Sequence, residues 1–148
     1  VERIGLERFG DFCQEIGIYS VLPGDKDKMK YLSNRGIATA AFIGYDTSDA
    51  AIELARASDK HIVFVSNANG RTQPREGLVT WAERIGYIRA HGVTAPIFGV
   101  TGIKTPEELQ QVRDAGADGA YIGSIMMQLW DNEPELWKLL DAFQAVAK

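Results

Sequence analysis

Short apolar runs and amphipathic runs alternate along the whole chain, and that alternation most restricts what it can fold into. Residues 18–23 (IYSVLP), 37–46 (IATAAFIGYD), 61–67 (HIVFVSN), 95–100 (APIFGV) and 119–124 (GAYIGS) read as five strands. Each is close to continuously apolar, as a strand covered on both faces is. Residues 25–36, 47–58, 77–92, 105–116 and 133–148 read as helices that follow them in turn. A further helix, residues 6–17, comes first and carries Leu6, Phe9, Phe12, Cys13 and Ile16 on one stripe before Gly17 stops it. Strands joined by helical crossovers pair in parallel with right-handed connections. The expected class is therefore α/β with a parallel sheet of five βα units.

Local signals support the helices. Met29 and Leu32 point inward from the second helix, and Ser48 is placed to cap the third. Leu78, Trp81, Ile85 and Ile88 share one face of the fourth. Thr105, Pro106 and Glu108 form a capping box with proline at the first position, and Gly116 ends that helix. Leu136, Leu139, Leu140 and Phe143 face inward from the last. No linker or low-complexity segment interrupts residues 1–148, so one domain is expected. Five such units fit two architectures. One is a small doubly wound, flavodoxin-like sheet. The other is a partial TIM barrel, the last five of eight strands, because a complete barrel needs about 250 residues.

Composition narrows the function. A net charge of −4 offers no basic surface for a nucleic-acid backbone. The single cysteine, Cys13, excludes an internal disulfide and a cysteine metal cluster, and fits a reducing cytoplasm. No apolar run is long enough to span a membrane. No metal-ligand cluster or cofactor motif is present, so neither a metal nor a cofactor is expected. The first residue is Val1 rather than methionine, which raises the expectation of a processed chain or a fragment.

In either architecture ligands sit at the C-terminal ends of the strands. Those ends carry Pro23, Gly24 and Asp25; Gly44, Tyr45 and Asp46; Ser66, Asn67, Asn69 and Gly70; Thr101 and Gly102; Gly123 and Ser124. Glycine after a strand serves a tight turn, and it equally lets a ligand approach the backbone. Gly102 follows the penultimate strand, while Gly123 and Ser124 follow the last and open a short helix in SIMMQLW. That pattern suits a phosphate. Asp25 and Asp46 are the carboxylates at this end. Each is placed as a helix cap or first-turn residue, and together they are the alternative acid–base pair. His61 starts its strand at the opposite end, and His91 closes a helix.

These residues resemble the tryptophan synthase alpha subunit family. GLERFGDFCQEIG is similar to that family's helix after its third strand, and IYSVLPGD to the strand that follows. APIFGVTGIKTPEEL resembles its Gly-Phe-Gly-Ile-Ser-x-Pro-Glu stretch, and AGADGAYIGSIM its Ala-Gly-Ala-x-Gly-x-x-x-Gly-Ser-Ala. The correspondence runs in order along essentially the whole chain, as the last five strands of a barrel. It implies a lyase of tryptophan biosynthesis that cleaves indole-3-glycerol phosphate to indole and glyceraldehyde 3-phosphate. It also implies a PLP-dependent beta-subunit partner that receives the indole. By this resemblance Gly102, Gly123 and Ser124 bind the substrate phosphate, while Asn69, Gly70 and Thr101 belong to the segments that cover the substrate. Thr101 stands where the family has an aromatic, Asn67 where it has arginine, and Val63 where it often has tyrosine. The family's catalytic glutamate and aspartate lie on and after its second strand, in a region that would precede Val1. No catalytic residue is therefore expected within these residues. Two other readings stand beside this one: another phosphosugar enzyme using Asp25 and Asp46, or a non-catalytic phosphate-binding or assembly module.

A five-stranded part of a barrel has two open edges, IYSVL and GAYIG, and helices on one face alone. The inner face, at Val21, Phe42, Phe64 and Phe98 or their neighbours, is then expected to lie uncovered. The edges are expected to be taken up by an N-terminal segment or by self-association.

Overall fold

A computed structural model of the chain describes residues 3–22, 25–57, 62–66 and 72–147. The elements run α1 (Leu6–Glu15), β1 (Ser20–Val21), α2 (Lys26–Asn34), β2 (Ala38–Thr39), β3 (Ala41–Ile43), α3 (Asp49–Arg56) and β4 (Val63–Ser66). They continue as α4 (Trp81–Ala90), β5 (Ile97–Val100), α5 (Pro106–Asp114), β6 (Gly119–Ala120), α6 (Ser124–Gln128) and α7 (Glu133–Ala147).

Every strand pair is parallel and joins two strands consecutive in the chain. β1 pairs with β2, and β3, β4, β5 and β6 follow in that order in a second ladder. The strand expected over residues 37–46 is thus two short pieces broken at Ala40. Pairing to β1 ends at Thr39, and pairing to β4 begins at Ala41. A doubly wound sheet reverses its strand order at a switch point. Here the order never reverses, which sets the flavodoxin-like alternative aside in favour of a partial barrel.

The two faces of the sheet differ as that reading requires. Ala41, Ile43, Val63, Val65 and Ile97 point to the helix side, where they pack with Met29, Ile52, Ala55, Ile85 and Ile88. The alternate residues Phe42, Phe64 and Phe98 are paired across β3, β4 and β5 and form an aromatic row on the other face. That row continues to Gly119 on β6, whose missing side chain leaves room for the Phe98 ring. Phe42 is exposed and the other two are half-buried, so the inner face is open as expected. On the first strand it is the neighbour of Val21 that faces the open side. Val21 packs outward on the cluster of Cys13, Leu32 and Ile37, and its neighbour Leu22 is the exposed residue. Successive strand residues alternate faces, so only one of the two can point inward.

The helix signals fare unevenly. The Thr105 capping box and Pro106 stand as read, as does the short helix over residues 124–128. The pattern predicts one helix over residues 77–92, but α4 starts at Trp81, behind a second capping box formed by Thr80 and Glu83. On α7 only Phe143 is fully buried, while Leu136, Leu139 and Leu140 are half-buried. Ser48 is the N-cap of α3 by backbone geometry but makes no side-chain cap bond.

Candidate functional site

The concave side of the sheet holds a hollow of about 690 Å3 at the C-terminal ends of the strands. Its floor is apolar, from Leu22, Phe42, Phe64, Val100, Ile103 and Tyr121. Its rim is Thr101, Gly102, Gly123 and Ser124. Four residues singled out from sequence are therefore brought together, although a whole helix separates the two pairs. Phe64 and Tyr121 meet edge to face, with ring centroids 5.7 Å apart and planes at 88°. That geometry fixes the orientation of both rings.

The backbone at the rim is unusual. Thr101 has φ +60° and Gly102 φ +79°. Gly102 adopts this region without penalty, but a β-branched residue does not. Strain of this kind, costing about 1–3 kcal/mol, gathers where a site needs a particular backbone path. Gly123 is the N-cap of α6, and no side chain caps the amides that follow it. A Cβ built at Gly123 would meet only open space. The first amides of a helix have no partner within it, and here the Met126 amide already turns back to the Gly123 carbonyl at 3.0 Å.

Asp25 and Asp46 do not line the hollow. Asp25 caps α2, accepting from the Lys28 amide at 2.9 Å and pairing with the Lys28 ammonium at 2.7 Å. Those side-chain and backbone bonds from Lys28 hold its carboxyl below the ordinary aspartate range. Asp46 is exposed and folds back over Gly44, where an added Cβ would stand 2.7 Å from its Oδ1. Asn67, Asn69, Gly70 and His61 lie outside the described residues. Among the described residues no group of three His, Cys, Asp or Glu is placed to hold a metal ion.

Arg84, to which sequence reasoning assigns no role, is 1% exposed on α4. Its Nε donates to the Thr47 hydroxyl at 3.1 Å and its Nη2 to the Gly44 carbonyl at 3.0 Å. Its guanidinium carbon lies 4.9 Å from the Tyr45 ring centroid and 5.6 Å from that of Trp81. Burial lowers its pKa, and the nearby Tyr45 and Asp46 oppose that shift. Arg84 thus pins the loop after β3, in which buried Thr47 sits at φ +47°. The signal was present: Arg84 falls three after Trp81 and four before Ile88, on the buried face of α4. Tyr121 was also overlooked, although it alternates with the outward Ala120 and Ile122.

No protein-family model and no curated protein matches the chain. Solved structures do. Tryptophan synthase subunit alpha from Campylobacter jejuni is 21% identical with a TM-score of 0.64, over 94% of this chain and 59% of that one. A mutant tryptophan synthase alpha-subunit from Pyrococcus furiosus is 16% identical with a TM-score of 0.72, over 97% and 62%. Tryptophan synthase from M. tuberculosis, in its aminoacrylate-bound form, is 16% identical with a TM-score of 0.72, over 100% and 58%. The chain is therefore similar in fold to tryptophan synthase alpha subunits, and it spans about three-fifths of the length of these neighbours. Among the described residues no helix is long and apolar enough to cross a membrane.

Proposed function

We propose that the hollow binds the phosphate end of a small phosphate ester. Gly102, Gly123 and Ser124 receive the phosphate, and the aromatic floor of Phe42, Phe64 and Tyr121 receives the apolar remainder. The observation that carries this reading is that the rims of two βα loops, Thr101–Gly102 and Gly123–Ser124, face one aromatic-floored hollow. A flat aromatic body attached to a glycerol phosphate fits that division. Indole-3-glycerol phosphate is such a molecule, and the likeness to tryptophan synthase alpha subunits supports it. On this reading residues 1–148 are a single domain carrying the phosphate half of a lyase site in tryptophan biosynthesis, in the cytoplasm. A PLP-dependent beta subunit is its partner.

Among the described residues the rim holds no carboxylate. It can bind and orient, but it has no side chain suited to move a proton at the reacting carbon. A positioned acid or base contributes about 10²–10⁴-fold, so cleavage needs carboxylates from outside this hollow's lining. The alternative pair is poorly placed for the work. Asp25 is committed to Lys28 and the start of α2, and Asp46 lies outside the hollow.

Calorimetric titration with glycerol phosphate tests the site. Binding is expected in the wild-type chain and should be lost in Gly123→Asp, which has space for its side chain but adds negative charge at the rim. Binding unchanged in that variant would remove the assignment. Indole release from indole-3-glycerol phosphate should stay at background for this chain alone. Robust turnover abolished by Asp46→Asn would instead establish the alternative pair.

A further inference from the structure

Tyr121, just past β6, lies across the floor of the hollow. Its amide donates to the Gly99 carbonyl on β5 at 2.8 Å, which fixes its backbone. Yet its ring meets that of Phe64 on β4, two strands away, with centroids 5.7 Å apart. Next-but-one strands are roughly 10 Å apart, so the two rings meet above β5. Among the described residues, the side chains that line the hollow carry hydrogen-bonding atoms at three places: Thr101 and Ser124 on the rim, and Tyr121 on the floor. The rest of the floor, Leu22, Phe42, Phe64, Val100 and Ile103, is hydrocarbon. Tyr121 is 63% exposed, and its hydroxyl has no partner among the described residues.

We propose that Tyr121 is a specificity-determining residue of this site. It selects phosphate esters whose flat body carries a ring N–H or a hydroxyl, over all-carbon bodies of the same shape. Water satisfies the phenol in the open hollow. A ligand body that covers the ring removes that water, and a polar group left without a partner costs about tenfold in affinity. The phenol oxygen both donates and accepts, so either kind of group on the ligand restores the bond. The edge-to-face contact with Phe64 fixes the ring, so the hydroxyl is presented at a set place. A hydrocarbon wall senses little beyond size, whereas a hydrogen-bonding group rejects a body that cannot answer it. This inference rests on the phosphate reading above and adds the class of body that the phosphate carries.

Calorimetric titration with two propyl phosphates tests it, one bearing an indole ring and the other an indene ring of the same shape without the N–H. The wild-type chain should bind the indole compound about tenfold more tightly. Tyr121→Phe keeps the ring and its contact with Phe64 but removes the hydroxyl, and the preference should fall to near unity through weaker binding of the indole compound. Equal affinities in the wild type overturn the proposal. So does a preference that survives in Tyr121→Phe, or one that Tyr121→Phe removes only by tightening the indene compound. Glycerol phosphate separates the two readings. If it fails to bind the wild-type chain, the phosphate site falls and this inference with it. If it binds and no ring preference is found, this inference alone falls.

Discussion

β4 and β5 pair over four residues, whereas β1 and β2 pair over two and β6 meets β5 over two. On β3, β4 and β5 the outward residues Ala41, Ile43, Val63, Val65 and Ile97 are all fully buried. On the outer strands no side chain is fully buried: Val21, Gly119 and Ala120 are half-covered and Ser20 is exposed. Composition alone does not explain this difference, since IYSVL holds as many apolar residues as HIVFV. A parallel strand is buried by helices across its face and also by strands on both sides, and the outer two have one side each. Apolar composition reports what a strand is suited to, and strand neighbours decide how far that is realised.

The largest effect should separate these regions directly. Ile97→Ala empties a fully buried site between β5 and the α3–α4 layer and should cost about 2–5 kcal/mol. Tyr121→Ala removes a side chain that is 63% exposed and should cost about 0.5–1.5 kcal/mol, the contribution of its edge-to-face pair with Phe64. Denaturant midpoints measure both. Equal costs would mean that Tyr121 is covered in solution and that the edge is not open.

Arg84→Leu comes next. It leaves the Thr47 hydroxyl and Gly44 carbonyl without their donor, and hydrogen bonds to a charged group contribute about 1.5–3 kcal/mol. Arg84→Lys should recover only part of this, because an ammonium cannot reproduce the fork that reaches both acceptors. A full rescue by lysine would show that charge, rather than geometry, holds the loop after β3.

How much of this was readable in advance follows from the same contrast. Alternation of apolar and amphipathic runs was enough for the parallel class, the helical crossovers and the capping of α5, because those depend on local chemistry. The short lengths of β1 and β6 were not readable, because they follow from absent neighbours. Nor was the break at Ala40, where pairing passes from one neighbour to the other. At the site, glycines after strands announced Gly102 and Gly123, since a bare backbone position is visible in sequence. Arg84 was hidden because a charged residue on a helix is ordinarily solvated. Only its place on the Trp81–Ile88 face distinguishes it.

Two glycines sharpen the contrast at smaller scale. A Cβ at Gly99 on β5 would lie 2.5 Å from Val112 Cγ1, and Val112 is 1% exposed on α5. A Cβ at Gly119 on β6 would lie 2.6 Å from Cε1 of Phe98, a half-buried ring on the inner face of the sheet. The clashes are alike, but only the second neighbour has somewhere to go. Gly99→Ala should cost about 1–3 kcal/mol as an overpacked site, and Gly119→Ala clearly less. If the order is reversed, the inner face of the sheet is covered in solution.

The smallest effect concerns helix starts, one in the well-covered centre and one near an edge. Glu83 at the start of α4 accepts from the Val79 amide at 3.0 Å, the Thr80 amide at 2.8 Å and the Thr80 hydroxyl at 2.9 Å. The Thr80 backbone bond, then its hydroxyl, then the Val79 amide hold this carboxyl below the ordinary glutamate value of 4.5. Asp25 at the start of α2 is held below 3.8, first by its bonds to Lys28. In both cases the folded state favours the ionised form. Each contribution is therefore complete above the ordinary value and disappears as pH falls through the lowered one. Thermal midpoints should accordingly fall for Glu83→Gln relative to wild type at pH 7, and the difference should close below about pH 4. Asp25→Asn should behave alike but close at a lower pH, because aspartate ionises below glutamate. Thr80→Ala, which removes the other half of the α4 capping box, should cost about 1 kcal/mol at any pH above that window. A Glu83→Gln difference that persists unchanged at low pH would show that the box works by shape rather than charge. The centre and the edge would then start their helices by different means.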